Sequence, residues 1–209
     1  MESIIQTIAV YAIPILFAIT VHEAAHGYVA RMFGDNTAYV AGRITLNPVK
    51  HIDPIGTIVV PLVMVTLSGF MFGWAKPVPV DFRQLRRPKQ DMVWVAAAGP
   101  GANLLMAILW LLFAKALAII GMREAYFFLM ADAGIKVNLM LMALNLLPLP
   151  PLDGGRILVG VLPHRLSWQV ARIEPYGFII LLLLLATNTL GFFIQPFLRL
   201  GNTILRMFI

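Results

Sequence analysis

Long runs of apolar residues alternate along this chain with short stretches where polar residues, prolines and glycines collect. Five runs are long enough to be weighed as membrane-crossing helices, which need about 20 mostly apolar residues: residues 4–33, 54–72, 92–120, 125–147 and 176–198. Between the first two lies a polar stretch, 34–53, with Gly42, Asn47 and Pro48 as turn residues. Its core, 38–46, mixes β-branched and aromatic residues and predicts short strands. Residues 73–80, Gly-Trp-Ala-Lys-Pro-Val-Pro-Val, are predicted to be extended, because a residue before proline is pushed toward β. No internal repeat or low-complexity segment interrupts the pattern.

The basic residues decide which runs span. Arg31, Arg43, Lys50, Lys76, Arg83, Arg86, Arg87 and Lys89, half of the 16 Lys and Arg, flank residues 54–72 on both sides. A spanning helix there would put its two basic flanks on opposite faces, against the positive-inside tendency. A segment that dips in and returns keeps both flanks cytoplasmic. Pro54, Pro61, Gly69 and Gly73 suit such a re-entrant element sheltered by protein. The fold expected is therefore an all-α polytopic membrane protein. It has four spanning helices with both termini outside, a re-entrant segment, and short membrane-associated β-strands. Residues 1–209 read as a single domain.

Composition supports this reading. The chain is 60% hydrophobic and 12% charged over 209 residues, with a mean hydropathy of +0.84. A soluble domain of this size has too little interior to hide so much apolar side chain. Disorder, a coiled coil and a disulfide scaffold are excluded; there are no cysteines for disulfides or thiolate ligands. The net charge of +6 is loop charge that orients the chain against anionic lipid, and no nucleic-acid partner is expected. Trp74, Trp94 and Trp168 read as interface anchors. Asp132 and Lys136, spaced i, i+4, are expected to pair with each other. The end, residues 192–209, is partly amphipathic and suits the membrane surface.

The sharpest chemical signal is His22-Glu23-Ala24-Ala25-His26, inside the first apolar run. The i, i+4 spacing sets both imidazoles on one helix face, where they can share one Zn²⁺. Glu23 stands beside them, placed to take a proton from a zinc-bound water. Three ionisable groups within five residues are costly in hydrocarbon and need a partner; the plain alternative is two interfacial histidines with Glu23 paired to Arg31. At the helical rise, His26 lies about 10 Å short of the end of the run at Phe33. That depth is the cytoplasmic half of the membrane, so water must reach it through a polar cavity.

Catalytic zinc takes three protein ligands and leaves one position open. The remaining histidines, His51 and His164, fall in cytoplasmic connections. Asp153, in Asn145-Leu-Leu-Pro-Leu-Pro-Pro-Leu-Asp153-Gly-Gly155, is a better candidate: prolines stop the preceding helix and stiffen the connection, and Gly154 and Gly155 permit unusual backbone angles. Spacing alone reads Asp153 equally well as a surface turn closed by Asp-Gly.

These motifs resemble the site-2 proteases, the zinc intramembrane metalloproteases of peptidase family M50. The resemblance covers nearly the whole chain through four blocks: His22 to His26; Gly42-Arg-Ile-Thr-Leu-Asn-Pro48 with His51-Ile-Asp-Pro54; Ala98-Gly-Pro-Gly-Ala-Asn103; and Asn145 to Arg156. It implies one Zn²⁺ per chain held by His22, His26 and Asp153, with Glu23 as general base. It also implies that Asn145 and Asn103 hold the substrate backbone or polarise its carbonyl, against the alternative of helix–helix hydrogen bonds. The implied partners are the lipid bilayer and a membrane protein with a transmembrane helix; residues 42–48 and 77–80 are candidates for pairing with the unwound substrate. No PDZ-like insert or regulatory domain is visible, the pattern of a minimal core in a prokaryotic plasma membrane. The rival readings are a divalent-metal transporter, which has no need of a glutamate between two histidines, and a catalytically inactive membrane-binding relative.

Overall fold

The computed structural model describes residues 2–59 and 76–208. Its first helix, α1 (Glu2–Met32), runs for 31 residues with Pro14 inside it, about 46 Å at the helical rise. A four-residue turn α2 (Thr37–Val40) follows, then a 3₁₀ turn at Pro48–His51 and a π-helical turn at Pro54–Val59. Beyond a 3₁₀ turn at Phe82–Gln84 come two long helices, α3 (Pro88–Ile119) and α4 (Ala125–Asn145). Four shorter ones complete the chain: α5 (Asp153–Val161), α6 (His164–Ala171), α7 (Glu174–Ala186) and α8 (Leu190–Arg206).

Among the described residues three helices are long and apolar enough to cross a membrane: Ile5–Met32, Pro88–Ile119 and Ala125–Asn145. They pack on one another, α1 against α3 and α4, and α3 against α4. Small residues allow the close approach, with Ala18, Ala107, Ala131 and Ala143 wholly buried. At Gly134 an added Cβ would stand 2.4 Å from the Trp110 ring. This is how helices associate where lipid removes the hydrophobic drive between them. A second layer forms where α8 lays Leu205 against Ala107, Leu139 and Met142, and Ile194 against Ala143, Leu147 and Leu181.

Two sequence expectations change. The run 176–198 is not one helix: it breaks at Thr187–Thr189, where Asn188 has φ 55° and Thr189 N–H donates to the Leu184 carbonyl (3.0 Å). Asparagine tolerates the left-handed region that this break requires. The fourth candidate span is instead the pair α6 and α7, bent by 61° just before Pro175, which sits in the first turn of α7.

The strands expected at 38–46 are absent among the described residues. Asp35 accepts from Thr37 N–H (2.8 Å) and Thr37 hydroxyl (2.5 Å), which starts a helical turn. Gly42 at φ +64° then ends it, with Arg43 N–H on the Ala38 carbonyl (2.9 Å). Local side-chain bonds of this kind override β propensity.

Of the segment 54–72, only its first turn is described; the rest lies outside the described residues. Its flanks meet, because Lys76 N–H donates to the His51 carbonyl (3.0 Å).

Candidate metal centre and its cavity

His22 and His26 face one way from α1, their rings edge to face with centroids 4.7 Å apart. Their Nε2 atoms are 3.1 Å apart, and Asp153 Oδ2 stands 3.3 Å from the first and 3.4 Å from the second. Among the described residues these three form a group able to hold a metal ion.

The surroundings fix the state of each ligand atom. His22 Nδ1 lies 2.6 Å from Asn103 Oδ1, and the Asn103 amide nitrogen donates to the Ala18 carbonyl (3.2 Å) and to Asn138 Oδ1 (3.0 Å). With its nitrogen committed, Asn103 offers His22 only an acceptor, so Nδ1 carries the proton. His26 Nδ1 lies 2.7 Å from the Val95 carbonyl, again an acceptor. Both Nε2 atoms therefore point lone pairs into the triangle, the arrangement that orients metal-binding imidazoles. Asp153 Oδ2 is buried and has no hydrogen-bond donor. Three convergent acceptors without a proton among them call for a cation.

The dimensions fit zinc. Tetrahedral coordination with bonds of about 2.0–2.1 Å sets ligand atoms about 3.3–3.4 Å apart, against the 3.1, 3.3 and 3.4 Å found here. Two imidazoles and a carboxylate with room for a water are a recognised catalytic zinc set.

Asp153 reaches the histidines from 127 residues away in sequence because glycines let the backbone close around it. At Gly154 a Cβ would meet the Leu146 carbonyl oxygen at 2.2 Å, and at Gly155 the Pro150 nitrogen at 2.1 Å. Neither glycine has positive φ, so the pair serves close approach rather than unusual backbone angles. Asp153 also opens α5, where the helix dipole favours an anion. Burial pushes its carboxyl up; in metal-free protein, imidazoles that take up a second proton at Nε2 outweigh burial and hold it well below the usual carboxylate range.

A cavity of about 170 Å³ adjoins the triangle, and Glu23, Asn145, Val78 and Arg156 share its lining. Glu23 Oε2 accepts from Val78 N–H (2.7 Å), which leaves Oε1 for a proton. Asn145 donates to the Leu141 carbonyl (3.0 Å) from the cavity wall. Asn103 is placed differently from the expectation that it touches substrate: it is fully buried behind His22, with both ends of its amide engaged.

Four contributors were not read from sequence. Val95 acts through its carbonyl and Val78 through its N–H, groups every residue carries, so no residue type marks them. Gly99 lies inside the Ala98–Asn103 block, yet only the structure shows why: a Cβ there would stand 2.4 Å from His26 Nε2. Arg156 closes the last block, and nothing in its spacing points into the cavity.

A histidine pair on one helix, a distant aspartate completing the triangle and a glutamate in the same cavity define a metalloprotease-type centre set among membrane-length helices. The chain is 39% identical over 202 residues to a protein of Bacillus subtilis (strain 168) whose name reads "Putative zinc metalloprotease YwhC", a match covering 94% of this chain and 89% of that protein. Two mycobacterial proteins of the same description, named Rip2, also match. Identity is 31% over 184 residues for Mycolicibacterium smegmatis and 30% over 179 residues for Mycobacterium tuberculosis (H37Rv), each covering 84% of this chain and 66% of the relative. No family model and no solved structure matches. The chain belongs to the family of these zinc metalloproteases.

Proposed function

We propose that this protein is an intramembrane zinc metalloprotease of the site-2 type, cutting membrane-protein substrates within or near a transmembrane segment. The observation that carries this reading is the His22–His26–Asp153 triangle, built on a helix of membrane length and sharing its cavity with Glu23. The hydrogen bond joining the flanks of residues 52–75 supports a re-entrant segment there. The basic connections on either side support a cytoplasmic position for the cavity, in a bacterial plasma membrane.

His22, His26 and Asp153 would hold the zinc, which when bound would supply Lewis acidity and lower the pKa of water at the open position. Glu23 receives the proton of the attacking water at Oε1 while Val78 N–H steadies Oε2. It then returns that proton to the leaving amine. Asn103 and the Val95 carbonyl keep the imidazoles in the ligating tautomer. Asn145, on the wall, offers its amide to the substrate backbone. A substrate helix hides its carbonyls in its own hydrogen bonds and must unwind locally before it is cut.

The test is Glu23→Gln in purified protein with a model transmembrane substrate. The variant is expected to hold zinc like the wild type and to show no turnover; cleavage that persists overturns the mechanism.

A further inference from the structure

Arg156 lies on the same helix as Asp153, three residues on, and lines the same cavity as His22, Glu23 and His26. Its guanidinium sits 5.0 Å from the centroid of the Phe82 ring, within cation–π reach. Among the described residues no carboxylate forms an ion pair with it. None of its nitrogens is sealed from the cavity as a buried unpartnered atom. Half-buried Arg156, with its guanidinium within reach of an aromatic ring and its side chain lining the cavity, lacks only an anion.

Peptide hydrolysis makes one. Water adds its oxygen to the scissile carbonyl carbon, the C–N bond breaks, and the leaving nitrogen takes the proton. A cavity that held a neutral peptide then holds a new α-carboxylate and a new amine. Glu23 and Asp153 can receive only the amine; Arg156 is the cation on the wall that can receive the carboxylate, with the paired donors a guanidinium offers such a group. We propose that Arg156 is a substrate-binding residue of the cavity. It holds the carboxyl end created at the cut, and therefore the peptide carbonyl from which that end forms. This rests on the protease reading above.

The experiment measures binding rather than turnover. A fluorescent apolar hexapeptide ending in a free α-carboxylate, and the same peptide ending in a carboxamide, are titrated by anisotropy against zinc-loaded protein in detergent. Wild type, Arg156→Gln and Arg156→Lys are compared, with zinc content measured in each. The wild type is expected to favour the carboxylate by about tenfold or more, as charge-assisted hydrogen bonds give. Arg156→Gln should lose most of that preference with zinc unchanged, and Arg156→Lys should restore part of it. An undiminished preference in Arg156→Gln overturns the proposal, since the zinc alone would then account for it. If Arg156→Gln fails to fold, Arg156→Lys decides: a preference equal to the wild type's overturns the proposal, and a reduced one supports it. A wild type that shows the Arg156-dependent preference but cuts no transmembrane substrate would sink the protease reading and leave Arg156 an anion-binding residue.

Discussion

Replacing Gly99 with alanine tests the metal centre without touching a ligand. The new Cβ would stand 2.4 Å from His26 Nε2, 2.5 Å from His22 Cε1 and 2.6 Å from His26 Cε1. Non-bonded contacts of this kind settle at about 3.5 Å or more, so both rings must retreat by about 1 Å. They are not free to do so: His22 is held by Asn103 and His26 by the Val95 carbonyl, on the same helix as Gly99. A metal site tolerates departures of about 0.2 Å in its bond lengths, and the shift required here is several times larger. Disturbing groups that merely orient ligands costs about 10–100-fold in affinity; displacing two ligands should exceed the upper end, a loss of at least about 100-fold. The assay is competition for zinc between a chelator and purified protein, with helicity checked alongside. Gly101→Ala is the matched control: it lies in the same helix with nothing within 4 Å of its added Cβ. Alanine is favoured there by about 1 kcal/mol, so zinc binding should be unchanged. A Gly99→Ala protein that holds zinc within threefold of wild type would refute the argument.

Asn103→Leu removes the acceptor of His22 Nδ1 and frees that ring to take the wrong tautomer; zinc affinity should fall about 10–100-fold, measured by the same competition, and an unchanged affinity would return Asn103 to the substrate side. The Asp153 carboxyl predicts a pH effect in metal-free protein. Because its folded-state pKa is depressed, it stabilises the fold above its unfolded value of about 3.9, and that stabilisation is lost as pH falls through the folded value. Thermal melting between pH 5 and pH 3 should therefore decline more steeply in wild type than in Asp153→Asn; parallel declines would remove the inference.

Much of the architecture is legible in order of residues alone, where the relevant physics is local. Twenty apolar residues in a row predict a membrane-length helix, and the runs at 4–33, 92–120 and 125–147 form one each. The i, i+4 spacing of Asp132 and Lys136 predicts their ion pair, found at 2.6 Å. The same spacing puts His22 and His26 on one face of α1. Where the prediction failed, a short-range competitor had been underweighted: Asp35 starts a helical turn at residue 37, and Asn188 breaks the apolar run near the C-terminus.

What only the tertiary structure decides are the meetings of distant parts. Nothing in the spacing of Asp153 separates a ligand from a surface turn, because the choice depends on α5 packing against α3 so that one oxygen reaches two nitrogens of α1. Asn103 reads the same in sequence whether it faces substrate or backs His22, and only its burial between α1, α3 and α4 shows it behind the imidazole. Gly99, Gly154 and Gly155 matter for the space they leave empty, and that space exists only once another chain segment fills it. The pairing of His22 with His26 is thus written in local sequence, whereas the place of Asp153 beside them and the 3 Å spacing of the three come from packing, since no local rule fixes a distance between residues 127 apart.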